Sequence, residues 1–464
     1  MVNQLKSYEN YKETGLLWVP QVPFHWELTR TKNVMKLRKE VVGNDFDRYT
    51  LLSLTLKGII SRDMKNPKGK FPKDFSTYQT VNANDLVFCL FDIDETPRTV
   101  GLSPLHGMIT GAYTIFNVVN NANAMYLYYY YLSLDQHKSL KPLYTGLRKV
   151  ISTDTFSRTK IPLPPRPEQD QIVRFLDYKL AKINKFINTK KKLISILKEQ
   201  KQGIINDAVT KGINREAEMK QSGIALLGEI PSNWDVKPLK HFVKSNTDTL
   251  SETFDKEKEI NYIDISTVGF GELKRNPVKY KFKDAPSRAR RIVHYGDTII
   301  STVRTYLKSM CFVDDDISDC IVSTGFAVLS PNKLVYPKLL NYVLSSNYFV
   351  DLVSRNSIGV SYPAITESKL VSLKVALPTL IEEQREILDY ITEHTTKINE
   401  RLSIAEKEIK LINEYATRLI LDVVTGKVDV RNIEVGHISE DEMVIEDIEV
   451  EELEELLEGE ECEV

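Results

Sequence analysis

The chain has 464 residues, 42% hydrophobic and 27% charged, which is enough apolar material for two or three cores rather than one. The formal net charge of −2 hides a division. Residues 440–464 hold 14 Asp or Glu and no Lys or Arg, so the rest carries 62 basic against 50 acidic groups, a net of +12, which suits a polyanionic partner without demanding one. The four cysteines form no C-x-x-C pair and the seven histidines show no metal-ligand spacing, which argues against a zinc site or a disulfide framework and for a reducing cytoplasm. The N-terminus lacks the apolar core of a signal peptide, and the uncharged run from Thr99 to Leu134 is broken by Pro104, glycines and asparagines, so no membrane span is expected.

In chain order, the first signal is an opening text, Gly15 to Leu28, that returns at Gly223 to Val236 with a shift of 208 residues. Within it Pro23 and Trp26 match Pro231 and Trp234, which reads as a strand opened by proline with an indole anchored in a core. Next, Tyr49 to Leu56 and Asn261 to Val268 read as matching strands, each followed by a glycine turn at Gly58 and Gly269. Asn84-Asp85 ahead of Leu86 to Phe91 matches Gly296-Asp297 ahead of Thr298 to Thr302, a turn into a buried strand, and Thr110-Gly111 matches Thr324-Gly325 ahead of apolar runs. The loops between these strands do not match. They hold the densest basic clusters outside the helices: Arg62, Lys65, Lys68, Lys70 and Lys73 in the first block, Lys274 to Arg291 in the second. With Phe71, Tyr280 and Phe282 interleaved, such loops could reach phosphates and base edges, or could simply be solvated. Tyr126 and Tyr128 to Tyr131 invite a base-stacking reading, but their counterpart Lys338 to Ser346 holds only one aromatic, so a helix packed against its own sheet is the expectation.

Each block is followed by a long helix, and these are the strongest repeat. Glu168-Gln169 aligns with Glu383-Gln384 at a shift of 215, and the match runs ungapped to Asp207 and Asp422. Alternating steps of three and four from Val173 give a seam through Leu176, Leu180, Ile183, Ile187, Ile194 and Leu197. The second copy gives Ile391, Ile398, Leu402, Ile409, Ile412 and Leu419. This is the 3.5-residue spacing of a coiled coil. A helix of some 45 residues, roughly 65–70 Å, cannot bury its own stripe, so the two copies are expected to pair as a rod.

Sequence motifs for catalysis are missing: no phosphate loop, no Rossmann glycines, no H-E-x-x-H, and no Asn/Asp-Pro-Pro-aromatic text of an amino-methyltransferase, since Pro164-Pro165 is flanked by Leu163 and Arg166. Two E-x-K triplets, Glu218 to Lys220 and Glu408 to Lys410, lie in a linker and on the second long helix, without the sheet setting a nuclease needs. The sequence reads as a chain that binds and does not catalyse.

The tandem of variable block and repeated helix, with G-x-x-W/L-x-x-x-x-P-x-x-W opening each block and L-P-x-x-x-x-E-Q opening each helix, resembles the specificity subunit of type I restriction-modification enzymes over about Tyr11 to Val430. That resemblance implies an α+β chain: two similar mixed α/β target recognition domains (residues 1–160 and 216–375) separated by two long repeated helices (161–215 and 376–430) packed as an antiparallel coiled coil. Residues 431–464 would be an acidic, disordered tail for which the family offers no role. Each domain would read one half of a split, asymmetric sequence in double-stranded DNA. The helices would set the gap and dock methyltransferase subunits, commonly two, with restriction subunits joining them. The chain itself would be non-catalytic and carry no cofactor or metal, S-adenosylmethionine, ATP and Mg²⁺ belonging to the partner subunits. The resemblance also points to the turn before each final strand, Gly146 to Lys149 and Gly359 to Tyr362, as a DNA contact. Expected contacts are Arg148, Lys149, Ser361 and Tyr362, with Arg62, Lys70, Arg98, Lys279, Arg290, Arg291 and Arg304, mostly on phosphates. The alternatives are a coiled-coil scaffold that does not touch DNA, and a stand-alone nuclease.

Overall fold

The structure is a computed structural model that describes residues 6–64, 74–144, 149–251 and 253–436. Contacts divide the chain into two units. One unites residues 1–190 with 407–464, the other is residues 191–406.

The two units repeat one topology strand for strand. In the first, an antiparallel sheet runs in the order Met35–Arg38, Thr114–Val118, Leu86–Phe88, Val100–Leu102. In the second, the same order is made by Val243–Ser245, Phe326–Pro331, Thr298–Ser301 and Met310–Phe312. A further four-stranded sheet in the second unit runs Val278–Lys281, Glu259–Ile263, Ile321–Ser323, Ala289–Ile292, with its central pair parallel. Its counterpart in the first unit is two hairpin-like pieces, Leu52–Thr55 with Gly58–Ser61 and Gln79–Val81 with Gly107–Ile109, joined by a parallel bridge from Leu51 to Met108. Equivalent turns have equivalent chemistry. Asn84 and Gly296 both sit at positive φ, 68° and 91°, and the carboxylates of Asp85 and Asp297 each accept a backbone N–H three residues back, from Asn82 at 2.8 Å and His294 at 2.9 Å.

Asn261 to Val268 is only half a strand. It ends at Ile263, and Ile265–Thr267 form a 3-10 turn because Asp264 caps it, its carboxylate accepting from Ser266 N at 3.2 Å while Thr267 Oγ1 accepts from Asp264 N at 3.0 Å. The tyrosine run forms a helix, Ala124–Gln136, with Tyr126, Tyr129, Tyr130 and Tyr131 buried against the first unit's core, and residues 337–344 form the matching helix.

The central helix is Arg166–Lys211 and the distal helix Ile381–Val424. Each contributes one half to each unit. In the first unit Ile172, Phe175 and Leu176 share a core with Leu419, Ile420 and Val423, and Lys190 pairs with Glu408 at 2.6 Å. The second unit pairs Leu197 with Ile398 and Leu402, and Ile205 and Ala208 with Ile387 and Ile391. Rising numbers on one helix meet falling numbers on the other, so the segments are antiparallel within each unit. Leu176, Ile183, Leu197, Ile391, Ile398, Leu402 and Leu419 are buried, and Leu180, Ile187, Ile194, Ile409 and Ile412 half-buried. Among the described residues, no helix is long and apolar enough to cross a membrane.

Candidate nucleic-acid interface

Each block is fastened to the start of its long helix by the Glu-Gln pair of the repeat. Trp26, buried, donates its indole N–H to Glu168 Oε1 at 2.9 Å, and Trp234 donates to Glu383 Oε1 at 2.8 Å. Gln169 accepts the backbone N–H of Asn123 at 2.8 Å, and Gln384 that of Tyr336 at 3.0 Å. Asn123 and Tyr336 are the N-caps of the two matching helices, so the glutamines absorb N–H groups that helix starts leave over. Each glutamine amide also donates to a proline carbonyl, Pro164 or Pro378, at 2.8 and 3.0 Å. With the blocks held this way, their loops are placed by rigid elements.

In the second unit these loops gather cations at one end of the sheets. Thr324 N donates to Arg288 O at 2.9 Å, Thr302 N donates to Gly325 O at 2.8 Å, and Ile365 N donates to Thr302 O at 2.9 Å. Gly325 permits this approach: a Cβ there would lie 2.5 Å from Ile265 Cδ1. Arg288, Arg304 and the loop 357–364 are thereby neighbours. Arg304, at φ 50°, lays its guanidinium 5.0 Å from the ring centre of Tyr362, and Thr305 N donates to Pro363 O at 3.2 Å. Ser361 is exposed beside them. The sequence puts Ser361 and Tyr362 on one turn and Arg304 far from it, and the fold brings all three together. Lys279 is exposed on the edge strand, and Arg290 lies 4.9 Å from the centre of the Phe282 ring. Arg291 is half-buried, and burial pulls its guanidinium below the usual range. Among the described residues Lys279, Arg288, Arg290, Arg304 and Lys308 are in no ion pair, whereas Lys281 and Lys283 share Glu257 at 3.1 and 2.8 Å.

The first unit differs at the same place. The positions of Arg304 to Lys308 are held there by Asp92 to Thr96, with Asp92 also at positive φ. Asp94 accepts from the Tyr144 hydroxyl at 2.8 Å, and that bond, with Lys141 and Lys149 nearby, holds its carboxyl down at about 2. Lys149 is thus engaged, paired with Glu95 and 3.5 Å from Asp94. Arg98 is half-buried and donates to Leu56 O at 3.1 Å. Arg62 is half-buried too. Lys70 and Arg148, like Phe71 and residues 437–464 of the tail, lie outside the described residues, whereas Ile433 and Val435, placed in the tail by the sequence, pack against the first unit's core.

Phe282 is buried and Tyr280 half-buried in a core with Leu250 and Ile260. One expectation needs correction. The residues Gly359 to Tyr362 do not lead directly into the final strand: a capped helix, Glu367–Ser372, intervenes before Lys374–Pro378, as Thr153–Arg158 does before Lys160–Leu163. His294, passed over for want of metal spacing, bridges Asp248 at 2.8 Å and Asp319 at 3.1 Å, and the Asp248 bond raises its pKa. Its signal was not in the neighbouring text, since Asp248 is remote in sequence.

A family model described as the type I restriction modification DNA specificity domain matches residues 109–195 and 231–408, more than half of the chain. The chain belongs to the type I restriction-modification specificity subunit family. It is 26% identical over 453 residues to the type I restriction enzyme MjaVIII specificity subunit of Methanocaldococcus jannaschii, covering 93% of this chain and 99% of that one. It is 32% identical over 168 residues to the HindI specificity subunit of Haemophilus influenzae, covering 33% and 35%. A chain from a structure solved to explain assembly and conformational transition of a type I restriction-modification system superposes with TM-score 0.57 at 15% identity, covering 88% of this chain and 99% of that one. This likeness carries the fold. For a specificity subunit, the duplicated frame with unlike loops is the informative feature.

Proposed function

We propose that this chain is the non-catalytic reader of a bipartite, asymmetric DNA target, each block contacting one half-site. The observation that carries the proposal is the contrast between frame and loops: the Trp-Glu-Gln fastening is the same twice, while the loop after the equivalent strand is Arg304 to Lys308 in one block and Asp92 to Thr96 in the other. Two readers of one frame and different surface chemistry suit two different half-sites.

The bound methyltransferase subunits, two by the pseudo-repetition of docking faces, carry S-adenosylmethionine. Restriction subunits carry ATP and Mg²⁺, and the assembly works in the cytoplasm. The antiparallel helices fix the spacer between half-sites. Lys279, Arg288, Arg290 and Arg304 contact phosphates of the second half-site, and the cations of the first block, including Arg62, Lys70, Arg98, Arg148 and Lys149, serve the first.

Long-read methylation mapping of host DNA, with the gene intact and deleted, tests this. The expected result is a split motif, methylated around a fixed gap, that vanishes with the gene. Exchange of residues 15–160 for those of a relative should then change one half of the motif. A methylome indifferent to the deletion, in a strain whose methyltransferase partner co-purifies with the chain, would overturn the reading.

A further inference from the structure

Two loops of the second unit form a rigid, apolar and cationic finger. Residues 302–308 and 355–364 contain no Asp or Glu. Val360 is wholly exposed, at 100%, and Ile358 at 83%, the highest of the exposed large hydrophobic side chains among the described residues, with Tyr362 and Tyr306 exposed beside them. These side chains are not on a loose loop. Ile358 and Ala364 exchange both backbone hydrogen bonds, at 2.8 and 3.0 Å, and Thr305 Oγ1 donates to Ser357 Oγ at 2.8 Å. Gly359 takes φ 119°, open only to glycine, which turns the chain so that Val360 leads. Arg304 lies against Tyr362 and Lys308 closes the companion loop, both in no ion pair among the described residues.

We infer that this finger enters the major groove of the second half-site and reads a thymine through its 5-methyl group, Val360 and Ile358 making the contact while Arg304 and Lys308 hold flanking phosphates. The inference rests on the DNA-reading function proposed above. The reasoning is chemical. Val and Ile have no hydrogen-bonding atoms in their side chains, so they cannot read the donor and acceptor pattern of base edges. The one apolar feature of the major groove is the thymine methyl. Rigidly held apolar groups between unpaired cations fit a methyl lying between phosphate rows. The first block's counterpart of residues 304–308, Asp92 to Thr96, carries Asp92, Asp94 and Glu95 instead of cations, so the same contact is not expected in the first half-site.

The experiment is methylation mapping with the full chain and its methyltransferase partner, comparing wild type, Val360→Ala and Arg304→Ala. Val360→Ala should relax one thymine position in a single half-site and leave the other half unchanged. At full exposure the substitution costs no core. Arg304→Ala should lower methylation across the motif without changing its letters. Purified complex should then bind a duplex bearing deoxyuridine at that thymine about fourfold more weakly than one bearing thymidine, the worth of one methyl group withdrawn from water, and Val360→Ala should erase that difference. If the wild type yields a split motif but neither Val360→Ala nor deoxyuridine alters recognition, the inference is overturned while the function stands. If Val360→Ala instead abolishes co-purification of the methyltransferase, the finger is a protein contact and the inference is likewise overturned. If the wild type yields no split motif, the underlying function fails first.

Discussion

The indole N–H of Trp26 lies 2.9 Å from Oε1 of Glu168, a carboxylate only 6% exposed that also accepts the Tyr8 hydroxyl at 2.6 Å and is met by His25 Nε2 at 2.8 Å. Its counterpart Glu383 is less buried and receives Trp234 and Asn233, at 2.8 and 2.7 Å. A buried carboxylate is tolerable only because its lone pairs are filled, and deleting it strands every donor. Glu168→Ala should therefore destabilise the first unit by about 2–4 kcal/mol, and Glu383→Ala the second by less. Amide hydrogen exchange resolved by segment checks this. An equal loss in both units would refute the burial argument.

Gly426 and Gly212 follow the ends of the two long helices at φ 75° and 73°. A Cβ on Gly426 would stand 2.2 Å from Pro23 Cδ, whereas one on Gly212 would stand 3.3 Å from Pro231 Cγ. Alanine at Gly212 should cost about 1–2 kcal/mol, the strain of the left-handed backbone. At Gly426 the clash adds to this and the first unit should open measurably more. Limited proteolysis of the two variants, with cut sites mapped, should show nicking near Trp26 for Gly426→Ala alone.

His294 between Asp248 and Asp319 has its pKa raised above the ordinary 6.5, first by the Asp248 bond. A raised value means that the folded state prefers the proton. The contribution is complete below the unfolded value near 6.5 and is lost as pH rises through the folded one. Proton-carbon correlation spectra should show this ring titrating above 6.5, and His294→Asn should flatten the fall in stability of the second unit over that window. A His294 titrating below 6.5 would contradict the geometry.

Cations without partners differ from those already spent on carboxylates. Lys279→Ala or Arg288→Ala should each reduce the slope of log affinity against log salt by about one, the release of one counterion. Lys281→Ala and Lys283→Ala, each sharing Glu257 at 3.1 or 2.8 Å, should change it less. Binding of the complex to target duplex across salt concentrations provides the comparison.

The sequence exposed whatever is periodic or repeated. The seam from Leu176 to Leu197 and from Ile391 to Leu419 follows from a 3.5-residue spacing, and the matching glutamates and glutamines from alignment alone. What those residues touch was not legible, since Trp26 and Glu168 are far apart in the chain and the bond depends on how a strand meets a helix. Phe282 sits in a basic stretch, yet it opens a 3-10 turn just after the edge strand Val278–Lys281 and is buried in a small core there. Arg304 and Tyr362 drew notice for charge and for position, and only the bridge from Val303 to Ala364 makes them neighbours. Charge patterning could not tell Lys149, held by Glu95, from Lys279, held by nothing among the described residues.

The first unit is assembled from two stretches, residues 1–190 and 407–464, while the second is one uninterrupted stretch, 191–406. On the ribosome this reverses the order of completion. The N-terminal block emerges first, but Leu419, Ile420 and Val423, which close its core, are made later than every residue of the second unit. The earlier half must wait with its apolar helix face open while the later half finishes. Premature termination anywhere between residues 191 and 406 would therefore damage both halves at once.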